Sequence, residues 1–158
     1  MIAVVDVHYS GDIANAACVV ADWTDAAPRA EHVVRVTGIA PYVPGHFYMR
    51  ELPPIRAVLA VASPVDIVVI DGFVWLAPGR PGLGGHLYEA IKSPVVGVAK
   101  NPFRGATAIE VRRGASKKPL FVTAAGVDAR TAAAHVHKMH GAHRLPTLIR
   151  LADELSRK

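Results

Sequence analysis

At 158 residues, about half of them apolar, the chain is sized for one packed domain spanning 1–158 and is too hydrophobic to be a disordered tail. Its net charge of +5 and pI near 9.7 favour a polyanionic partner, and Arg104, Arg112, Arg113, Lys117 and Lys118 crowd into fifteen positions. One cysteine, Cys18, excludes an internal disulfide framework and a cysteine zinc cluster, and no apolar run reaches the ~18 residues of a membrane span.

The N-terminus carries neither the basic segment nor the cleavage site of a secretion signal, so a cytoplasmic location is expected. Residues 1–9 are short, apolar and β-branched, and read as a strand. Ser10-Gly11-Asp12 is turn chemistry, 14–22 is a second strand, Trp23 to Pro28 a second turn, and 31–37 a third strand. These connections are too short for crossover helices, so the three strands form an antiparallel meander. A helix is predicted over 51–62, with Ile55, Val58, Leu59 and Ala62 at helical spacing and Pro53 and Pro54 in its first turn. Residues 65–71 form a continuous apolar strand, the kind buried on both faces. A glycine- and proline-rich loop, 72–85, leads into a short helix at 86–91, and 95–100 is another buried strand. A hairpin is expected from 106–113 and 118–124, then helices over 128–139, capped by Asp128, and 145–156. Three antiparallel strands followed by strands reached through helices imply an α/β mixed sheet with helices on both faces, the pattern of a ribonuclease H-like fold.

In that architecture the first and fourth strands are neighbours at the sheet centre. They carry Asp6, inside the run Ile2-Ala3-Val4-Val5-Asp6-Val7, and Asp71, at the end of Ile67-Val68-Val69-Ile70-Asp71. Phosphodiester hydrolysis requires an activated water and relief of charge on the phosphate, and hard divalent cations held by several oxygens supply both. An unpaired buried carboxylate is costly. A metal offsets that cost at Asp6, and so does an arginine partner; spacing alone leaves both open. Glu51 at a helix start is a third candidate, and Asp153, one turn from Arg150 in the last helix, a fourth.

Six stretches, in order and compatibly spaced, resemble the endonuclease V family. They are Val5-Asp6-Val7-His8-Tyr9; Pro41-Tyr42-Val43-Pro44-Gly45 through Arg50-Glu51; Ile70-Asp71-Gly72; Gly82-Leu83-Gly84-Gly85-His86-Leu87; Val96-Gly97-Val98-Ala99-Lys100; and Arg144-Leu145-Pro146 with Arg150-Leu151-Ala152-Asp153. The resemblance implies a metal-dependent endonuclease, using magnesium or manganese (Mg2+ or Mn2+), that cuts DNA or RNA 3′ to a deaminated base, inosine. By resemblance, Asp6, Glu51 and Asp71 match the catalytic metal ligands, with Asp153 able to complete the shell, and Lys100 matches the lysine beside the scissile phosphate. Tyr42, on a loop stiffened by Pro44, matches the aromatic wedge that fills the gap left by the flipped base. Gly72, Gly82 and His86 match the lesion-recognition region, and Arg104 is expected to contact nucleic acid. No membrane partner is implied, and a monomer or weak homodimer is expected.

The chain also departs from the family. Its first strand begins at residue 2, without the usual preceding helical segment. The family's glycine-x-alanine-histidine-proline-arginine after Asp71-Gly72 is here Phe73-Val74-Trp75-Leu76-Ala77-Pro78-Gly79-Arg80, with Ala77 at the histidine position. The segment from Lys100 to Lys118 is short, and a late serine-x-glycine-histidine is replaced by Thr123 to Val127. Three functions therefore stand side by side: an inosine-directed endonuclease, a ribonuclease H-like nuclease of different substrate specificity, and a non-catalytic nucleic-acid binder. The three converging acids weigh against the last, and the altered 73–80 segment separates the first two. Elsewhere, His135, His137 and His140 are expected on a solvated face rather than in a zinc site. His8 shares the Asp6 face, as a partner of that acid or as a packed side chain. Trp75 is a candidate for base stacking, and Phe73 and Trp75 are equally candidates for filling the core or for a subunit contact.

Overall fold

The computed structural model describes residues 1–62 and 64–158. The chain begins with the meander β1 (Ile2–Ser10), β2 (Ile13–Ala21) and β3 (Ala30–Val36). Ser10 pairs with Ile13, leaving a two-residue turn whose first position, Gly11, has φ +62°, a conformation a side chain would disfavour. Next come α1 (Phe47–Val61), β4 (Ile67–Asp71), a small hairpin of β5 (Trp75–Ala77) and β6 (Arg80–Pro81), and α2 (Leu83–Ile91). The chain finishes through β7 (Val95–Ala99), β8 (Ile109–Val111), β9 (Leu120–Ala125), α3 (Ala129–Lys138) and α4 (Thr147–Ser156).

Seven strands form one sheet in the order β3-β2-β1-β4-β7-β9-β8. β1, β4 and β7 run parallel at its centre, and every other pairing in this sheet is antiparallel. The central strands are valine-rich because both faces are covered. On one face Ile2, Val4, Val69, Val96 and Val122 pack under α3 and α4; on the other Ala3, Val5, Val68, Ile70 and Val95 pack under α1 and α2. This is the mixed, helix-flanked sheet expected from the sequence. Among the described residues no helix is long and apolar enough to cross a membrane.

Several local expectations are corrected. Helix α1 starts at Phe47, so Glu51 lies in its second turn, and Pro53 and Pro54 are interior rather than in the first turn. A proline at 54 removes the N–H that would bond the Arg50 carbonyl; the Tyr9 hydroxyl donates to that oxygen instead, at 3.2 Å. The 72–85 stretch, expected as a loop, holds the β5–β6 hairpin, and α2 begins at Leu83 instead of 86. Val74 is fully buried, its N–H donates to Thr123 Oγ1 at 2.8 Å, and the Trp75 indole N–H donates to the Ala124 carbonyl at 3.1 Å. Trp75 is thus a core fastener. The hairpin seats this closely because Gly97 has no side chain: a Cβ there would stand 2.4 Å from the Gly72 carbonyl oxygen. α4 starts at Thr147 rather than 145. His135 does not face solvent freely; it stacks on Trp23 with ring centroids 4.9 Å apart. Arg113 is not part of a surface patch: it is buried, and its guanidinium donates to the carbonyls of Met139, Gly141, His143 and Arg144.

Candidate active site

The parallel register sets Val4 beside Val69, so two residues further on Asp6 and Asp71 leave the sheet side by side at its carboxyl edge. Asp71 pairs with Val98, which brings Lys100, just past β7, to the same edge. Helix α1 contributes Glu51 from one layer and α4 contributes Asp153 from the other. These five side chains, with Phe47, Ile55, Leu83 and Arg157, line a cleft of about 190 Å³.

The electrostatics are those of crowded acids. Burial, reinforced by the Asp71 charge, pushes the Asp6 carboxyl up to about 7, although Asp6 Oδ1 accepts the Val7 N–H at 2.9 Å. Glu51 is 8% exposed, and burial pushes it up to about 8; Asp6 and Asp71 add to that and the Tyr9 hydroxyl opposes it. Burial also raises Asp71 against the pull of Lys100, whose Nζ lies 3.8 Å from Asp71 Oδ2. Asp71 sits on the rim with 42% of its side chain exposed, so desolvation weighs less there than at Glu51. Asp153 pairs with Arg157 at 3.0 Å, in solvent. Among the described residues no arginine forms an ion pair with Asp6, Glu51 or Asp71, although the Arg50 charge opposes the rise at Glu51.

An all-oxygen donor set that raises its own proton affinity is the chemistry of a hard-cation site. Among the described residues no three acidic, imidazole or thiol side chains are gathered tightly enough to enclose an ion as they stand. The donors are of the right kind for a hard divalent cation and share one cleft, and Asp6, Glu51 and Asp71 are the residues that could hold one.

Asp71 also belongs to a second cavity, of about 330 Å³, beside the first. Its walls include Phe47, Tyr48, Gly72, Phe73, Gly82 and His86. The His86 ring stacks on Tyr48 at a centroid distance of 3.6 Å, and burial lowers its proton affinity. Aromatic and glycine-lined, with Asp71 and Arg80 as its charged members, this cavity suits a flat heterocycle. Tyr42 is 54% exposed on the preceding loop, its ring edge-on to Phe47 at 5.9 Å, and Pro44 is exposed beside it. Arg104 is exposed and lines neither cavity. His8 is half-buried and makes no hydrogen bond to Asp6. Sequence reasoning missed Tyr9, Phe47, Tyr48 and Phe103 as neighbours of the site. Tyr9 had a signal, since strand alternation puts it on the α1 face, opposite Asp6.

The sequence model described as Endonuclease V matches residues 1–117. The endonuclease V of Streptomyces coelicolor is 37% identical over 97% of this chain and 76% of its own length, and that of Streptomyces avermitilis 36% identical over 98% and 78%. The crystal structure of the Streptomyces avermitilis endonuclease V superposes with a TM-score of 0.81 at 32% identity, covering 99% of this chain and 79% of that one. Ciona intestinalis endonuclease V, solved with a 24mer DNA containing an inosine followed by a ribo-adenosine, shares the fold with a TM-score of 0.83 at 20% identity, covering 99% and 83%.

Proposed function

Because this chain belongs to the Endonuclease V family, we propose that it is a divalent-metal-dependent endonuclease that hydrolyses a phosphodiester 3′ to inosine in DNA or RNA. The observation that carries this reading is the shared wall: Asp71 lines both the acid cleft and the aromatic cavity, so one nucleotide's base and a nearby phosphate fit the two at once.

A base is reached only after it leaves the stack. The cavity of Tyr48, Phe73 and His86 receives it, and the backbone at Gly72 and Gly82 approaches closely because no side chain intervenes. Hypoxanthine carries O6 where adenine carries an amine, so a backbone N–H donor there separates the two. Tyr42, exposed on its proline-flanked loop, enters the vacated space and limits the unstacking penalty. Asp6, Glu51 and Asp71 hold Mg2+ or Mn2+, which when bound supplies charge relief on the phosphate and an activated water. Lys100, half-exposed beside Asp71, places its ammonium against the phosphate as charge develops. Asp153 stands ready as a further oxygen donor once released from Arg157. The protein acts as one domain, as a monomer or weak homodimer, in the cytoplasm.

The test is cleavage of single-inosine DNA and RNA oligonucleotides in Mg2+. The chain is expected to cut, and Asp71→Ala to be inactive. A wild type that leaves every inosine strand intact, or an Asp71→Ala variant that cuts equally well, removes the reading.

A further inference from the structure

Strand alternation turns Tyr9 away from Asp6 and toward α1. There its ring lies beneath the Arg50 guanidinium, with Cζ 4.0 Å from the ring centroid. Arg50 Nε is buried without a hydrogen-bond partner among the described residues, so the stack, not an ion pair, holds this side chain. The Tyr9 hydroxyl donates to the Arg50 carbonyl, whose usual donor is missing at Pro54. The next residue is Glu51, whose buried carboxylate lines the same cleft as Asp6 and Asp71. The two prolines thus open a gap in the helix ladder one residue from a buried acid, and an aromatic hydroxyl from the neighbouring strand fills it.

We infer that Tyr9 is a positioning residue for Glu51: its hydroxyl fixes the Arg50–Glu51 peptide and keeps the Glu51 carboxylate aimed into the cleft shared with Asp6 and Asp71. This rests on the reading of those acids as a cation site. Tyr9 touches no substrate; it removes freedom from a group that must arrive with its oxygens already oriented. A purely structural role would move the melting temperature and leave Mn2+ affinity untouched.

The two roles separate in a metal-binding measurement. Mn2+ is titrated calorimetrically into wild type, Tyr9→Phe, Glu51→Gln and the double variant Tyr9→Phe/Pro54→Ala, with melting temperature and single-turnover cleavage followed in parallel. Tyr9→Phe keeps the ring and the Arg50 stack and loses only the hydroxyl. It is expected to weaken Mn2+ binding by about tenfold, the scale set by losing a group that orients a ligand. Alanine at 54 returns an N–H to the Arg50 carbonyl and fixes the same peptide, so the double variant is expected to regain both melting temperature and Mn2+ affinity. Equal Mn2+ affinity in Tyr9→Phe and wild type, or a double variant that regains melting temperature without Mn2+ affinity, overturns this role of Tyr9 and leaves the cation site intact. Wild type without Mn2+ binding, or Glu51→Gln binding as wild type does, overturns the cation site at Glu51 and Tyr9's role with it.

Discussion

Lys100 Nζ stands 3.8 Å from Asp71 Oδ2, across the carboxyl ends of two parallel strands at the sheet centre. Both side chains are nearly half-exposed, so the pair contributes little to folding. Its consequence is electrostatic: Lys100 holds down the proton affinity of an acid that burial raises. Lys100→Met is therefore expected to change unfolding free energy by less than about 1 kcal/mol. It should also lower the single-turnover rate and move the acidic limb of the rate profile to higher pH. Urea unfolding and a pH–rate series check both parts. A large stability loss, or an unmoved acidic limb, contradicts the assignment.

The raised acids make the metal-free protein sensitive to pH in a direction that follows from their sign. Asp6 at about 7 and Glu51 at about 8 both lie above their ordinary values, so the folded chain holds protons that the unfolded chain has released. The stabilisation this gives is fully present below the ordinary carboxylate values and is lost as pH rises through about 7 and 8. In chelator, the unfolding midpoint is expected to fall across that window. Asp6→Asn and Glu51→Gln should flatten the fall, and Mg2+ should restore stability above it, where the ionised acids accept the cation. Denaturation at a series of pH values gives the answer. A wild-type profile no steeper than those of the two variants shows that these groups do not titrate as described.

Much of the frame was legible because the central strands announce themselves. Runs such as Ile67 to Ile70 and Val95 to Ala99 are apolar without alternation, which only a strand covered on both faces requires. With the meander preceding them, that was enough to make the Asp6 and Asp71 strands neighbours. The start of α1 was not legible. Pro53-Pro54 reads as a helix beginning, and the Tyr9 hydroxyl, forty-one residues away from Arg50, serves the carbonyl that an interior Pro54 orphans. The β5–β6 hairpin was hidden because strands of three and two residues carry no periodic signal. The glycines at 82, 84 and 85 read as loop, whereas the fold uses them to let the hairpin press on α2; a Cβ on Gly85 would meet the Val74 carbonyl oxygen at 2.7 Å.

Arg113 shows how a charge can mislead. In sequence it belongs to a basic cluster; in the fold it is 5% exposed and serves the carbonyls that end α3 and continue to Arg144. Its partners lie 26 to 31 residues away, and none is an acid. The negative end of a helix dipole and orphan carbonyls favour a cation there. Truncation leaves several buried acceptors unpaired, so Arg113→Ala is expected to cost about 2 kcal/mol or more in urea unfolding. Arg113→Lys should recover only part, because an ammonium cannot reproduce the planar fork. Arg112→Ala, which loses an exposed bond to the Lys117 carbonyl, should stay within about 0.5 kcal/mol of wild type. Near-equal losses at 112 and 113 contradict the structural role of Arg113.

Tyr42 is the converse case, a large ring with no packing duty. It is 54% exposed, makes no side-chain hydrogen bond among the described residues, and its aromatic neighbour is the edge of Phe47. Removing it should leave stability within about 0.5 kcal/mol of wild type. If the ring fills the place of a flipped base, Tyr42→Ala loses a stacking contact of about 1–3 kcal/mol, and cleavage of a duplex carrying inosine slows accordingly. Tyr42→Phe keeps the stacking face and should cut at nearly the wild-type rate. The decisive comparison is the same inosine in a single strand. No partner base faces a vacated gap there, so the wedge has nothing to fill and the penalty of Tyr42→Ala should shrink. Single-turnover rates on both substrates make the comparison. An equal loss on both reduces Tyr42 to an ordinary strand contact, because a residue that offsets unstacking has an effect only where a stack is broken.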